Sequence, residues 1–543
     1  MTESTDSSEF VYGLDGLSAR DERQQRFFEI LPGAISWGLL LGMVALSWFS
    51  PIYAIVCILA FDLLWVFYLG YAACVMIASA LRNRTERDTD WMARLKQFDT
   101  AVADSAALTD AKPADFFQRL SQKIHRRQLN SLLKSGDKVP TSESIHHVVI
   151  FTISTESRQN IESVVASLLE QDFPLDRVMV ILAPHEGAPK AVKKVAWNMH
   201  REHYERFAAF YVAPHPSAEE GRSPVKGAAV NFAARMAATA MEKEGVDSSN
   251  VIVSCLEASS YLSTDYLSCL TWKFLTCPDR ERVCFQPVPA YHSNIWKAPA
   301  IARLLHVGSS FLHRIEATDP VGLVSFGSYS MSLKTIIDAG YWPDDELFFG
   351  DSEFFWKAFL RFDGRFRTVL TTSMISQDIV SPDTFKNTVE TVYFRKEKDA
   401  KAIRNFPIVM RGFLQQRGIP LITKLRHSAT MLMKQVGAAT WVFLLLVIGW
   451  LPGLVANWVA PNSSLSYFAP RIHAIVALFA LITLAIVALL SLLQLPKREP
   501  GTKKRSLLTH LWIWIVIPPL AIILTAYPYL CVQTRLMLGK TRR

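Results

Sequence analysis

The sequence predicts an α/β domain with a mostly parallel sheet, flanked by transmembrane α-helices. Long apolar runs concentrate near the two ends of the 543-residue chain, whereas its middle has the mixed composition of a globular protein. In that middle part, short β-branched runs alternate with helical patterns, which is typical of a parallel sheet covered on both faces. Lys and Arg cluster beside the apolar runs, so the formal charge of +9 indicates membrane orientation rather than nucleic-acid binding.

These patterns divide the chain into seven predicted segments. In chain order they are a flexible N-terminal tail at 1–30, a transmembrane hairpin at 31–78, a helical connector at 79–145, the α/β domain at 146–405, interfacial amphipathic helices at 406–436, a C-terminal transmembrane region at 437–535 and a basic tail at 536–543.

The N-terminal hairpin consists of two apolar stretches, Leu31–Phe49 and Ile52–Ile77, separated by Pro51. About 20 apolar residues are needed to cross a bilayer. Asp62 lies inside the second stretch, where an acid is either functional or paired with a neighbouring helix. Basic residues on both flanks predict that both ends of the hairpin are cytoplasmic; they are Arg20, Arg23, Arg26, Arg82, Arg84 and Arg87.

Four apolar runs predict the strands of the central domain, and two helical patterns lie between them. The strands are expected at Val148–Phe151, Val178–Leu182, Phe210–Val212 and Val251–Val253, and the helices at Ile161–Leu169 and Met199–Phe207. The fourth run leads to Glu257, which would face a ligand because ligands bind beyond the carboxyl ends of parallel strands. Neither a GxGxxG nor a GxxxxGK[ST] phosphate loop is present.

The C-terminal region again has the composition of membrane helices. Ile419–Lys434 predicts an interfacial helix, and Ala438–Val459 and Ile472–Leu493 are predicted spans. The last apolar stretch, Leu511–Leu530, is interrupted by Pro518 and Pro519. Three spans after the domain would leave the C-terminus outside, although its tail is basic. Either the last stretch bends at the prolines and re-enters, or the charge rule fails there.

The seven cysteines form neither a CxxC pair nor a set spaced with histidines. They are therefore interpreted as reduced cysteines of a cytoplasmic or intramembrane protein, not as a disulfide framework or a zinc site.

The order of segments and several motifs resemble membrane-embedded family 2 glycosyltransferases, which include the cellulose and hyaluronan synthases and related bacterial polysaccharide enzymes. Val148–Leu169 looks like the first strand and helix of that family, and Val178–Gly187 looks like its second strand. Lys226–Asn231 is similar to its Lys-Ala-Gly-Ala-Leu-Asn turn, and Phe326–Trp356 resembles its acceptor-side and catalytic-acid segment. The resemblance covers roughly residues 30–535 and implies a glycosyltransferase-A-type, Rossmann-like domain.

The resemblance also implies a nucleotide-sugar site with Mg²⁺ or Mn²⁺. Glu257 and Ser259 occupy the two positions of the family's metal-binding Asp-x-Asp, so Glu257 is the candidate metal ligand. Glu156, Glu186 and Lys226 match other nucleotide-sugar-binding positions. A serine supplies only a neutral hydroxyl, which predicts a weakened or altered metal site. Two of these residues have a simpler interpretation. Lys226 could be a solvated lysine that opens a helix, and Glu257 could be an acid exposed at a strand end.

Asp351 is the candidate catalytic base, because it matches the second residue of the family's Glu-Asp pair. Glu353 is the alternative base, and an acid that stabilises a helix N-terminus is the simpler interpretation of Asp351. On the acceptor and diphosphate side, Lys398 in Arg395–Asp399 stands where the family has the Arg of Gln-x-x-Arg-Trp. These five charged residues also fit a solvated helix face, which we consider the better interpretation.

The predicted function is transfer of a sugar from a nucleotide-sugar to a polysaccharide or glycolipid acceptor. The expected partners are a nucleotide-sugar, a glycan or lipid-linked acceptor, the lipid bilayer and polysaccharide-export subunits, with no nucleic acid. The expected location is the inner (plasma) membrane, with several spans and a cytoplasmic domain. The alternative is a catalytically impaired subunit that acts as a partner or regulator in a polysaccharide synthesis or export assembly, because three family motifs are altered.

Overall fold

The computed structural model describes residues 10, 12–14, 16–86, 89–103, 115–135, 139–153, 157–184, 188–214, 226–290, 294–296, 298, 321–343, 351–379, 385–459, 464–493 and 520–540. The chain divides into two compact units. The first comprises Met1–Gly13, Ser79–Ala290 and Leu323–Asp378, and the second comprises Leu14–Ala78, Tyr291–Gly322 and Ile379–Arg543.

The first unit is built around eight strands. They are β1 (His146–Ile153), β2 (Val178–Pro184), β3 (Ala209–Val212), β4 (Val251–Glu257), β5 (Ser260–Leu262), β6 (Val283–Ala290), β7 (Tyr329–Ser332) and β8 (Arg367–Gln377). The helices that belong wholly to this unit are α3 (Trp91–Ala103), α4 (Phe116–Ser135), α5 (Arg158–Leu169), α6 (Lys190–His203), α7 (Lys226–Lys243), α8 (Tyr266–Thr276), α9 (Leu333–Asp338) and α10 (Asp351–Arg361).

The strands form one mixed sheet in the order β3-β2-β1-β4-β7-β6-β8-β5. Four of its neighbouring pairs are parallel and three are antiparallel. The half formed by β3, β2, β1 and β4 is wholly parallel, as predicted. The other half contains all three antiparallel pairs, so the expectation of a mostly parallel sheet describes only the first half well.

The centre of the sheet is the core of this unit. All seven residues of β2 are buried, as are the first six of β4. Helix α8 packs with Trp272, Phe274 and Tyr266 in the same apolar cluster. A strand that is covered on both faces needs apolar side chains on both, which explains the continuous apolar runs that predicted these strands.

The first helices of the chain are longer than the predicted hairpin. Helix α1 (Ala19–Phe49) begins at Ala19, twelve residues before residue 31. The hydroxyl of its N-cap residue, Ser18, accepts a hydrogen bond from the Asp21 N–H at 3.2 Å. Helix α2 (Pro51–Glu86) continues past residue 78. The polar turns at both outer ends remain helical because they carry good capping and helix-forming residues.

The C-terminal helices also differ from their expected bounds. They are α11 (Phe385–Ala400), α12 (Asn405–Gln415), α13 (Leu421–Leu446), α14 (Leu451–Val459), α15 (Ser464–Leu493) and α16 (Tyr527–Met537). Helix α13 joins the expected interfacial helix to the first nine residues of the predicted span Ala438–Val459 and ends at Leu446. Residues Asn405–Phe413 of α12 are buried, so they do not form an exposed interfacial helix. The prolines 518 and 519 lie outside the described residues.

Three helices of the described part of the chain are long and apolar enough to cross a membrane: α1, α2 and α13. Within the second unit, α16 is fixed to α1 by hydrogen bonds from Ser36 Oγ to Gln533 Oε1 at 2.6 Å and from Trp37 Nε1 to Thr534 Oγ1 at 2.9 Å. A side-chain carbon added at Gly33 would lie 3.1 Å from the Gln533 carbonyl oxygen. Small residues thus allow the two helices to approach closely.

Asp62 on α2 is paired with His473 on α15. The two side chains are each 1% exposed, and His473 Nδ1 lies 2.9 Å from Asp62 Oδ2. The other ring nitrogen of His473 lies 2.9 Å from the Leu445 carbonyl oxygen, near the point where α13 ends. A side-chain carbon at Gly449 would lie 2.5 Å from His473 Cε1, so only glycine leaves room for the ring. The acid predicted inside the second span therefore has a partner helix.

His147 gives the first unit a predictable pH dependence. It is completely buried on β1, with Nε2 2.8 Å from Thr271 Oγ1. Burial, with smaller contributions from Arg177 and His146, lowers the pKa of His147 to about 3. An unfolded chain protonates this ring near pH 6.5, so the unfolded state gains protons first as the pH falls.

We expect stability to decrease between about pH 6.5 and 3, by up to about 1.4 kcal/mol per pH unit from this residue. His147→Gln keeps a polar group near Thr271 but cannot titrate, so its unfolding midpoint should change less with pH. The measurement is thermal unfolding of the purified full-length protein by tryptophan fluorescence at pH 7.5 and 5.5. The same slope in variant and wild type would contradict the assignment.

Candidate active site at the carboxyl end of the central strand

The candidate site lies where β4 ends. Strand β4 pairs in parallel with β1 on one side and antiparallel with β7 on the other. Because β7 runs in the opposite direction, the residues that precede it, Gly327 and Ser328, come beside the last residue of β4, Glu257. The Glu257 N–H donates a hydrogen bond to Ser328 Oγ at 3.3 Å.

Gly327 lies between the two acids that the sequence singled out. Its N–H donates to Asp351 Oδ2 at 3.0 Å, and a side-chain carbon at Gly327 would lie 3.8 Å from Glu257 Oε1. Its φ of +59° is in the left-handed region, which favours glycine. Ser325 Oγ also donates to the Asp351 backbone carbonyl at 2.9 Å. Glu257 and Asp351, 94 residues apart in the sequence, thus meet on either side of one glycine.

Gln286 on β6 fixes the backbone that carries Gly327. Its side chain is wholly buried, and Nε2 donates to the carbonyl oxygens of Phe326 at 3.1 Å and Ser328 at 2.8 Å. Its Oε1 accepts from the Phe326 N–H at 3.0 Å. One amide therefore satisfies buried backbone groups on both sides of Gly327, which holds this glycine in a defined place.

Gln377, the last residue of β8, orients Glu257. Its Nε2 donates to Ser260 Oγ at 3.1 Å and lies 3.4 Å from Glu257 Oε2. The hydroxyls of Ser260 and Ser328 are 3.0 Å apart. The side chain of Glu257 is half-buried, so its carboxylate is held by neutral donors while part of it remains accessible.

The contribution of β8 to the site was not predicted from the sequence. Ser259 is half-buried in the two-residue turn between β4 and β5. Gln377 pairs with Ser260, so the next residue, Asp378, comes beside this turn. Asp378 Oδ2 accepts hydrogen bonds from Tyr261 OH at 2.7 Å and Asn160 Nδ2 at 3.2 Å. Burial, and then the bond to Asp378, raises the pKa of Tyr261. The only sequence signal was an acid that follows an alternating run.

The residues at this strand end fit a divalent cation only in part. The described residues contain no group of three or more His, Cys, Asp or Glu side chains placed to hold a metal. Glu257 supplies one carboxylate and Ser259 a hydroxyl. One carboxylate oxygen of Glu257, Oε2, already lies 3.4 Å from Gln377 Nε2. Magnesium uses one or two carboxylates together with substrate phosphates. The donor set therefore fits a cation that arrives with a phosphate-bearing ligand.

The other predicted site residues are not brought to this point by described contacts. Glu156 and Glu186 lie outside the described residues, and Lys226 begins α7, although the surroundings of its side chain are not among those described. Lys398 is exposed on α11 of the second unit, which agrees with a solvated helix face. Glu353 is only 4% exposed, so Asp351 is the more accessible of the two candidate bases.

Comparison with known proteins finds similar solved structures but does not assign the chain to a family. No protein-family model matches the chain, and no curated protein matches it. Among solved structures, it is similar to the mannosyltransferase PcManGT from Pyrobaculum calidifontis in complex with GDP-Man and Mn²⁺, with 13% identity, a TM-score of 0.38, and coverage of 82% of this chain and 99% of that chain.

It is also similar to S. aureus TarS 1-349 in complex with UDP-GlcNAc, with 12% identity, a TM-score of 0.30, and coverage of 60% of this chain and 91% of that chain. GalNAc-T7 with UDP, GalNAc and Mn²⁺ has 11% identity, a TM-score of 0.29, and coverage of 65% and 68% respectively.

Because the amide of Gln286 is buried and hydrogen-bonded, replacing it with an apolar side chain of similar shape should lower the stability of the protein strongly. Gln286→Leu leaves the Phe326 N–H and the carbonyl oxygens of Phe326, Pro287 and Ser328 without this partner. Each unsatisfied buried group costs about 1–3 kcal/mol, so we expect an unfolding free energy lower by about 4 kcal/mol or more. Faster hydrogen exchange in the peptide that contains Phe326 and Gly327 should accompany it.

The matched control is Gln415→Leu, which removes one exposed hydrogen bond to Asp21 Oδ1. It should cost no more than about 1 kcal/mol. Unfolding midpoints and exchange mass spectrometry on both variants provide the measurement. Unchanged exchange at Phe326 in Gln286→Leu would show that the amide does not fix this loop.

Proposed function

We propose that the chain is a membrane glycosyltransferase that transfers a sugar from a nucleotide-sugar donor to a polysaccharide or glycolipid acceptor. The observation that carries this proposal is the arrangement of Glu257 and Asp351 on either side of Gly327 at the carboxyl end of β4. Glycosyl transfer needs two different functions at one place: a group that manages the charge of the diphosphate, and a base for the acceptor hydroxyl.

In this proposal Asp351 is the base. It accepts the proton of the acceptor hydroxyl as the hydroxyl oxygen forms a bond to the anomeric carbon. The bond from that carbon to the diphosphate oxygen breaks at the same time, so the nucleoside diphosphate leaves with the electron pair and the sugar configuration inverts. The Gly327 N–H holds one carboxylate oxygen of Asp351.

Glu257 acts on the donor side. Its carboxylate, held by Gln377, would bind Mg²⁺ or Mn²⁺ together with the donor phosphates, and the cation would supply charge stabilisation for the departing diphosphate. Ser259 contributes a hydroxyl at the same turn. We include Glu156, Glu186 and Lys226 as further nucleotide-sugar contacts and Lys398 on the diphosphate side, on the basis of the family resemblance alone.

The membrane part of the proposal is supported by α1, α2 and α13, which are long and apolar enough to cross a bilayer. The basic flanks of the first hairpin favour a cytoplasmic α/β domain and an inner (plasma) membrane location with several spans. An acceptor that is lipid-linked, or a polymer leaving through the membrane with export subunits, suits such a location.

A second candidate function is a catalytically impaired subunit in a polysaccharide synthesis or export assembly. It is favoured by the single carboxylate at the strand end, where the described residues contain no group of three metal-binding side chains. A protein of this kind would keep the fold and the interaction surfaces while binding the donor weakly.

Metal-dependent nucleotide binding tests the donor side. Glu257→Asp combined with Ser259→Asp restores two acids, so it should increase the affinity for nucleoside diphosphates that depends on Mn²⁺, because each anionic ligand adds Coulomb attraction in a partly dry crevice. The measurement is isothermal titration of wild type and double variant with a panel of nucleoside diphosphates, in Mn²⁺ and in chelator.

Each outcome separates the two functions. A gain confined to the double variant would favour the impaired subunit. Strong Mn²⁺ dependence already in wild type would favour the transferase, with Asp378 as the first residue to examine for the second anionic contact. No dependence in either protein would show that the end of β4 is not the nucleotide site.

Asp351→Asn tests the acceptor side. Asparagine can still accept the Gly327 N–H but cannot take a proton, so we expect turnover to fall by about 10²–10⁴-fold with little change in nucleotide affinity. Glu353→Gln is the matched control and should retain far more activity. Turnover from a panel of nucleotide-sugars, measured as released nucleoside diphosphate, decides the question. Equal turnover in Asp351→Asn and wild type would remove Asp351 from the mechanism.

A further inference from the structure

Helix α4 presents an unusual surface. Its sequence, FFQRLSQKIHRRQLNSLLKS, contains five Lys or Arg residues and no Asp or Glu. Besides Leu133 (36%) near its end, three large apolar side chains on it are exposed: Phe116 (71%), Leu120 (39%) and Ile124 (36%). They are spaced four residues apart, so they form one stripe along the helix. The opposite face of the helix carries the buried residues Ser121, His125 and Leu129.

Basic residues flank this apolar stripe directly. Arg119, Lys123 and Arg127 are exposed, and each lies three residues after a member of the stripe. At 100° per residue, the basic side chains lie beside the apolar ones and away from the buried face. A continuous apolar strip with a cationic border and no acid is typical of a helix that lies in the surface of a membrane.

Contacts within the first unit place the start of α4 at the end of α2. The guanidinium of Arg84, in the last turn of α2, lies 4.6 Å from the centre of the Phe117 ring. Thr89 Oγ1, just after α2, lies 3.4 Å from Ser121 Oγ. Behind α4, His125 Nε2 lies 3.0 Å from Gln97 Oε1 on α3. The stripe therefore begins beside the last turn of α2, where Arg84 lies seven residues after the end of the predicted span Ile52–Ile77.

We propose that α4 is an anionic-lipid-binding helix, with the stripe of Phe116, Leu120 and Ile124 inserted among the acyl chains and Arg119, Lys123 and Arg127 bound to lipid phosphates. The inference rests on the membrane placement proposed above and adds a lipid class and a surface to it. A bilayer fits better than a folded partner, since the apolar stripe and its basic border extend along two turns at the end of a predicted span. Within the helix itself there is no Asp or Glu to bind a basic partner.

The test uses the full-length protein in vesicles of phosphatidylcholine with or without phosphatidylglycerol. The photoreactive residue p-benzoylphenylalanine replaces Leu120, and lipid adducts are measured by mass spectrometry. Trp197 on α6 is the matched control, because it is also a large exposed side chain (47%) on a lysine-bearing helix of the same unit. Phosphatidylglycerol should increase adducts at position 120 by about fivefold or more, as each basic residue near an anionic surface contributes about that factor.

The combined variant Arg119→Gln, Lys123→Gln and Arg127→Gln should lose this increase, and high salt should weaken it in the unmodified helix. The inference would be overturned if the adduct yield at 120 were the same with and without phosphatidylglycerol. It would also be overturned if the yield at 197 matched that at 120, or if position 120 formed adducts with protein alone. A chain that an alkaline wash removes from the vesicles would overturn the membrane placement itself. A retained chain with no lipid adducts at 120 would overturn only the role of α4.

Discussion

The antiparallel pairing of β4 with β7 is the contact on which the candidate site depends. Parallel neighbours would place only strand ends and following loops at this edge of the sheet. Because β7 runs the other way, the segment before it arrives at the end of β4, and Gly327 comes opposite Glu257. The start of α10 then places Asp351 on the other side of the same glycine. One reversal of strand direction brings together acids from two distant segments.

The chemistry of the site is set by how its negative charges are distributed. Glu257 Oε2 lies 3.4 Å from the amide nitrogen of Gln377, and the hydroxyls of Ser260 and Ser328 are close to this strand end, with no second acid in the same motif. Asp351 is held by a backbone N–H and a serine contact. Two carboxylates with separate supports can have separate roles, one toward the donor and one toward the acceptor. In the proposed transferase, a donor side with one carboxylate would make cation binding depend more on the phosphates that the ligand itself brings.

The strands predicted from sequence are those whose partners impose a simple pattern. Strands β1, β2 and β4 are buried on both faces, so Val148–Phe151, Val178–Leu182 and Val251–Val253 appear as continuous apolar runs. Strands β6 to β8 escaped prediction because β6 contains two prolines and β7 and β8 are rich in Ser and Thr.

The same limit applies to the site. The position of Glu257 follows from its own strand, whereas the roles of Gln286, Gln377 and Asp378 depend on strands whose pairing is non-local. The helix bounds also depend on tertiary contacts. Helices α1 and α2 extend into polar sequence, and α13 continues through the boundary that was expected between an interfacial helix and a membrane span.

The pairing of Asp62 with His473 has a consequence for the order in which the protein is made. The two residues are 411 positions apart, so α2 leaves the ribosome long before α15 exists. A membrane-crossing α2 would therefore enter the bilayer carrying an acid without its histidine, at a cost of about 2.5–3.5 kcal/mol on insertion scales. The apolar residues of α2 must offset this free-energy cost until α15, which carries His473, has been made. The buried pair can therefore form only after the C-terminal region that contains α15 has been made.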